Sequence, residues 1–218
     1  MERIFFYPCA GRDIRIFLRL FAHTVDTFWF ADTKYARGNP IRWSVPSLKL
    51  PKWNPVFEEE LFLESKATEI PVAVKRYQFL NERFNKTVTI NFAAGHAIEV
   101  FERLPVENVL AVFCHRGDST GEGGSDTFWL RDRGGATYPQ GQLVRVLDSL
   151  TNGSLVISDG SNAEPQFSSY HRDSEAPNDA HRTQKAFSIG DKHFECVGAI
   201  DNNYGPTFVW QVTKPQQT

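Results

Sequence analysis

The chain has 218 residues, of which 41% are hydrophobic and 23% charged, a composition typical of a globular protein with a hydrophobic core. Its 24 basic and 26 acidic side chains give a formal net charge of −2, which argues against nucleic acid as a partner. No apolar run approaches the roughly 18 residues of a membrane span, and the start, Met1-Glu2-Arg3, does not have the pattern of a secretory signal. We therefore expect one cytoplasmic domain with no membrane partner.

The three cysteines support this expectation. Cys9, Cys114 and Cys196 are an odd number, lie far apart, and each falls in or beside an apolar run. Such cysteines are typical of reduced thiols in a cytosolic protein.

The first 32 residues have the pattern of a βαβ unit. Residues 3–7 are largely apolar and predict a buried strand, which a turn at Gly11 follows. Asp13 is then a candidate N-cap for a helix. The apolar positions of this helix recur at helical spacing and are Ile14, Phe17, Leu18 and Phe21. Residues 27–31 predict a second strand, which ends at Asp32.

The middle of the chain is less regular. Residues 35–71 contain several prolines and two tryptophans, and they predict an irregular insertion that wraps over the surface. Residues 72–79 and 87–92 predict two strands of an antiparallel hairpin. Residues 93–100 fit either a strand or a short helix.

The second half predicts further strands and one helix. The predicted strands are residues 109–113, 154–158, 194–200 and 207–212, the last two as a hairpin. Residues 142–150 have leucine and valine at helical spacing, and Asn152-Gly153 is the expected end of that helix. Residues 163–185 are polar and predict a loop or lid. Parallel units followed by a hairpin indicate an α/β fold: a three-layer, Rossmann-like, mostly parallel sheet with a C-terminal antiparallel hairpin.

Polar, glycine-bearing segments follow several predicted strands. The loop 115–126 has glycines at 117, 121, 123 and 124, and a loop this rich in glycine lets the backbone approach a ligand closely. In a doubly wound sheet the strand ends share one edge, where a ligand crevice forms. The candidate ligand-binding residues of these later segments are Arg116, Asp118, Glu122, Ser125, Asp159 and Asn162.

The carboxylates of the glycine-rich loop restrict its chemistry. Asp118, Glu122 and Asp126 would repel a phosphate, and they suit a cation, a ribose or an ammonium group better. A Mg²⁺ or Ca²⁺ site is the metal alternative. Acidic residues in loops usually face water, so we expect no metal.

The Gly11 turn, the acidic Asp32 at the end of the second strand, and the C-terminal hairpin resemble the class I S-adenosylmethionine-dependent methyltransferases. The resemblance implies S-adenosylmethionine as the cofactor, with Gly11, Asp13 and Asp32 as the cofactor-binding residues. Gly11 would approach the amino-acid end of the cofactor, and Asp32 would accept from the ribose hydroxyls.

Two functions follow from these observations. The first is binding of a small nucleotide-like or metabolite ligand at the carboxyl edge of the strands. The resemblance implies that such a protein is a methyltransferase. The second is a non-catalytic Rossmann-like module that binds a protein partner or senses a metabolite. No catalytic residue is assigned by the sequence.

Overall fold

The computed structural model divides the chain into two compact units, Met1–Val109 (unit 1) and Leu110–Thr218 (unit 2). It describes residues 1–11, 14–36, 53–64, 71–95, 97–104, 109–115, 146–158, 186–200 and 207–213. In the described part of the chain, no helix is long and apolar enough to cross a membrane. The three cysteines are not joined in disulfide bonds.

Unit 1 begins with the predicted βαβ unit. Strands β1 (Arg3–Pro8) and β2 (Thr27–Ala31) are parallel neighbours, with Phe5 opposite Phe28. Helix α1 (Arg15–Phe21) connects them, and its N-cap residue is Ile14, without a side-chain cap. The predicted cap, Asp13, lies outside the described residues.

Short helices pack on both faces of this strand pair. The Phe17 ring of α1 lies 5.5 Å from the ring of Phe5, and the Phe101 ring of α2 (Ala97–Phe101) lies 5.3 Å from that of Phe6. Neighbouring residues in a strand point to opposite faces, so Phe5 and Phe6 anchor the two helices on opposite sides. Of residues 93–100, for which a strand and a short helix were both open, residues 93–94 end a strand and residues 97–100 belong to α2.

The other strands of unit 1 form an antiparallel meander. They are β3 (Trp53–Leu63), β4 (Val72–Asn81) and β5 (Lys86–Ala94). The strand order in this unit is β3-β4-β5-β2-β1, and β5 is parallel to β2. The predicted β4–β5 hairpin is confirmed.

Strand β3 corrects the prediction of an irregular insertion at 35–71 for residues 53–63, while residues 37–52 and 65–70 lie outside the described residues. Ten of its eleven residues pair with β4, and the register shifts between Pro55 and Phe57, where Val56 has no partner in the ladder. Proline lacks the backbone N–H that a sheet needs, and it is therefore tolerated at bulges and on edge strands. In unit 1, β3 is such an edge strand.

Unit 2 also combines a parallel pair with a meander. Its strands are β6 (Val109–His115), β7 (Leu150–Ser158), β8 (Ala186–Ile189), β9 (Lys192–Ile200) and β10 (Thr207–Thr213). The order is β6-β7-β10-β9-β8, and only the β6–β7 pair is parallel. The predicted C-terminal hairpin is confirmed as β9–β10, while β8 was not predicted.

The predicted end of the helix at Asn152-Gly153 is wrong. Residues 146–149 are helical, but Leu150 already begins β7, so Asn152 and Gly153 lie inside a strand. Gly153 has a φ of 86°, a left-handed conformation that other residues avoid. The glycine that we interpreted as a helix stop thus accommodates an irregularity of the strand.

The predicted fold class is wrong, and the methyltransferase resemblance fails with it. Of the described residues, 64% are in strands and only 15% are helical. Five of the strand pairs within the two units are antiparallel and three are parallel. Tight turns connect β4 to β5 and β8 to β9, where a three-layer, Rossmann-like, mostly parallel sheet needs crossover helices.

Asp26 connects the amino ends of three strands of unit 1, namely β1, β2 and β5. Its carboxylate accepts from the backbone N–H of Arg3 (2.8 Å) and pairs with Lys86 Nζ (2.7 Å). Its backbone also bonds to Arg3 O and Thr89 N, both at 2.9 Å. Burial raises the pKa of Asp26, but the bonds from Lys86 and Arg3 outweigh burial and lower it below the usual 3.8.

We expect Asp26→Asn to destabilise the protein at pH 7 and less so in acid. A depressed folded-state pKa contributes stability that is present above the unfolded pKa and is lost as the pH falls through the folded value. The difference in the free energy of unfolding between wild type and variant should be constant from pH 7 to about 5. It should shrink below pH 3.8. Urea unfolding across this range measures it. Asp191→Asn, at an exposed turn residue, is the control, and an equal pH dependence in both variants would contradict the assignment.

Candidate functional site

The turn that follows β1 has an unusual backbone. Cys9 has a φ of 53° and Gly11 a φ of 48°, so two residues of the Cys9–Gly11 turn are left-handed. For a residue with a Cβ this conformation costs roughly 1–2 kcal/mol. Strain of this kind is concentrated at functional sites, where the surrounding structure enforces it.

Two side chains that follow β2 hold the Cys9–Gly11 turn in place. Asp32 Oδ2 accepts from the backbone N–H of Gly11 at 2.8 Å, and the Tyr35 hydroxyl donates to Gly11 O at 2.9 Å. Asp32 is 5% exposed and Tyr35 is 7% exposed. Burial raises the pKa of Tyr35, and the neighbouring Asp32 and Cys9 raise it further, so the phenol stays protonated and donates.

The hydrogen bonds also restrict what the turn can bind. The N–H of Gly11 donates a hydrogen bond to Asp32, and the N–H of Ala10 donates one to Ala31 O at 3.1 Å. Anion-binding turns need N–H groups that point at the ligand. These two N–H groups are used within the protein, so they do not form a phosphate cradle.

A cleft lies near the carboxyl ends of β3 and β5 and the amino end of β4, and Tyr35 connects it with this turn. The cleft has a volume of about 80 Å³. Its walls include the ring of Tyr35, whose hydroxyl is bonded to Gly11. The other main lining residues are Glu60, Phe62, Ala73, Lys75, Phe92 and Ala94.

The strand register explains why a cleft forms here. Ala73 of β4 lies opposite Phe62 of β3 and opposite Ala94 of β5. Residues directly opposite in an antiparallel pair share a face of the sheet. Two alanines in one row therefore leave a space between larger side chains, and the next row, with Lys75 and Phe92, bounds it.

No protein-family model matches this chain, and no curated protein or solved structure matches it either. The site must therefore be interpreted from its own geometry.

The structure brings together two of the predicted site residues. Gly11 and Asp32 are hydrogen-bonded at the carboxyl edge of unit 1. Their binding of a cofactor stays a prediction, and Asp32 would have to meet ribose hydroxyls from a buried position. The predicted residues Asp13, Arg116, Asp118, Glu122, Ser125, Asp159 and Asn162 lie outside the described residues.

Sequence reasoning missed Tyr35, Lys75 and Glu60. Tyr35 lies in a 3₁₀ turn, Thr33–Ala36, immediately after Asp32, and an aromatic residue at a strand end was a usable signal. Lys75 and Glu60 become neighbours only through the β3–β4 register, which was not predicted. Among the residues that the structure describes, no three histidine, cysteine or acidic side chains are grouped to hold a metal ion.

We expect Tyr35→Phe to lower the free energy of unfolding by about 1 kcal/mol, the typical contribution of one intramolecular hydrogen bond. The variant keeps the buried ring and removes only the bond to Gly11 O. Urea unfolding gives the loss of stability, and hydrogen exchange at residues 10 and 11 shows whether the turn is loosened. Unchanged exchange at those amides would show that Tyr35 does not hold the turn.

Proposed function

We propose that unit 1 binds a small-molecule ligand in the cleft at its carboxyl edge, next to the Cys9–Gly11 turn. The observation that carries this proposal is the double role of Tyr35. Its hydroxyl holds the strained turn at Gly11, and its ring forms a wall of the cleft. A ligand that touches this ring can therefore act on the turn, and the turn can preorganise the cleft.

The position of the cleft agrees with the general location of ligand sites in sheets with parallel strands. Such sites lie beyond the carboxyl ends of the strands. Here the cleft is lined by Ala94 at the end of β5 and by Tyr35, which follows β2, and β2 and β5 are parallel. The walls are largely apolar, with a few polar groups that can orient a ligand. Catalysis is not part of the proposal.

A ligand screen tests it. Thermal shift and calorimetry on the full chain should use nucleosides, nucleotides, S-adenosylmethionine, free amino acids and sugar phosphates. We expect at least one class to bind and to lose affinity in Ala73→Leu, because the added side chain fills the space between Phe62 and Ala94. Ala186→Leu, the same change at an exposed position of β8, should keep the affinity.

Two results would argue against the proposal. One is a screen in which no compound shifts the melting temperature. The other is binding that survives Ala73→Leu unchanged, since that ligand would occupy another place.

A protein partner at β3 is the second candidate function. Val56 and Phe57 are 57% and 46% exposed on this edge strand, and exposed apolar edge strands can pair with an extended segment of a partner. A pulldown with wild type and with a Val56→Lys/Phe57→Lys double variant would separate the two functions. Equal recovery of a partner by both proteins would exclude β3 as its binding site.

A further inference from the structure

One row of side chains in the cleft contains two charged residues. Glu60 of β3, Lys75 of β4 and Phe92 of β5 lie opposite one another, on the same face as the row that holds Ala73. Lys75 Nζ lies 2.7 Å from Glu60 Oε1. A positive and a negative group therefore stand side by side at an apolar space.

Both charges can be reached from solvent. The side chains of Lys75 and Glu60 are 31% and 64% exposed. A cross-strand ion pair with this exposure usually contributes little to stability. The pair therefore does not need to stay closed, and a ligand can bind to both partners at small cost to the fold.

The charges of the cleft suit a ligand with an ammonium group and a carboxylate. Glu60 offers a partner for a cationic group, and Lys75 offers one for an anion. Glu58, opposite Tyr77, adds a second carboxylate to the face that carries Glu60. Burial raises the pKa of Tyr77, and the carboxylates of Glu58 and Glu60 raise it further.

The size of the cleft limits the apolar part of the ligand. Its volume is about 80 Å³, whereas an engineered apolar cavity that holds benzene has roughly 150 Å³. A branched aliphatic group can enter between the alanines, while a phenyl ring or a nucleobase is too large for this space.

We propose that the cleft binds a small aliphatic α-amino acid. The ligand's ammonium group pairs with Glu60, its carboxylate pairs with Lys75, and its side chain packs over Ala73 and Ala94. This assignment rests on the proposed function, because it names the ligand of the same cleft.

Calorimetry with fragments of one ligand tests the assignment on the full chain. L-Valine is compared with isobutylamine, which lacks the carboxylate, and with 3-methylbutanoate, which lacks the ammonium group. We expect valine to bind at least about tenfold more tightly than either, because hydrogen bonds between charged groups are the stronger kind. L-Phenylalanine should bind weakly because its ring is larger than the space between the alanines. Glycine should also bind weakly because it leaves this space empty.

Two variants and a matched control test the residues. Glu60→Gln and Lys75→Met should each weaken valine binding by about tenfold or more. Glu59→Gln should leave it unchanged. The Glu59→Gln substitution breaks the ion pair between Glu59 Oε1 and Arg76 Nη1 (2.8 Å). This pair connects the same two strands but lies on the opposite face of the sheet. Melting temperatures of all variants establish that each is folded.

The outcomes separate this inference from the proposed function. Equal affinity for valine and isobutylamine, or unchanged valine binding in Glu60→Gln, would overturn the amino-acid assignment. If no amino acid binds, but another metabolite does so and Ala73→Leu abolishes it, the assignment fails and the cleft stays a ligand site. If no compound binds at all, both are wrong.

Discussion

Replacing Phe5 by alanine should lower the free energy of unfolding by about 3–5 kcal/mol, the usual loss for a buried phenylalanine. Phe5 is fully buried. The rings of Phe17, Phe21, Phe28 and Phe30 surround it at centroid distances between 5.2 and 5.8 Å. The variant therefore opens a cavity where α1 meets β1 and β2.

Urea unfolding followed by circular dichroism measures this loss. Since a domain is stable by only about 5–15 kcal/mol in total, Phe5→Ala should unfold at a much lower urea concentration. Phe62→Ala is the control, because the Phe62 ring is 65% exposed and its removal should change stability by less than about 0.5 kcal/mol. A loss under 1 kcal/mol for Phe5→Ala would mean that the aromatic cluster is not the core of unit 1.

The apolar strands and the βαβ unit were predictable because their signals are local. The buried runs of β1 and β2 and the helical spacing of Phe17 and Leu18 each depend on a few neighbouring residues. Two hairpins were predictable for the same reason. Both confirmed hairpins pair apolar segments that are near each other in the sequence.

The missed elements lack such signals. Strand β3 contains Glu58, Glu59 and Glu60 in a row, so its sequence does not alternate between apolar and polar residues. Their partners in β4, among them Arg76 and Lys75, explain why this run is tolerated in a strand. The amino end of β7 was mistaken for the end of a helix because Asn-Gly is the signal of a helix stop and also of a strand irregularity.

The fold class was wrong because strand direction is not encoded locally. An apolar run of five or six residues fits a parallel strand and a central antiparallel strand equally well. Counted from its parallel pair, each unit has the same strand order, β1-β2-β5-β4-β3 in unit 1 and β6-β7-β10-β9-β8 in unit 2. They differ in polarity, since β5 is parallel to β2 whereas β10 is antiparallel to β7.

This difference in polarity determines where the strands of each unit end. Four of its five strands, β1, β2, β3 and β5, run in one direction and end at the same edge. In unit 2 the directions are divided, because β8 and β10 run against β6, β7 and β9. The carboxyl ends of β1, β2, β3 and β5 thus lie at one edge of unit 1, where the Cys9–Gly11 turn follows β1.

The candidate site was only partly predictable. A glycine turn and an acid at two strand ends were enough to select Gly11 and Asp32, which are in fact hydrogen-bonded. Lys75 and Glu60 are fifteen positions apart in the sequence, and no local pattern connects them. Their pairing needs the register of two strands, one of which was not recognised.

Trp210→Ala should lower the free energy of unfolding by about 3–5 kcal/mol, the second large effect that we expect. Trp210 is fully buried in β10, and its ring lies 4.9 Å from that of Phe187 and 6.1 Å from that of Phe208. Strand β10 pairs with both β7 and β9, so a cavity at Trp210 weakens the centre of the unit 2 sheet.

Hydrogen exchange and urea unfolding measure this effect. Amide protection should fall in β7, β9 and β10, because local opening of β10 breaks its ladders with both neighbours. Trp210→Phe should retain part of the stability, since it keeps a ring against Phe187. Val197→Ala, at a residue of β9 that is 53% exposed, should change stability by less than about 0.5 kcal/mol. If Trp210→Ala behaved like Val197→Ala, the core of unit 2 would have to lie elsewhere than around β10.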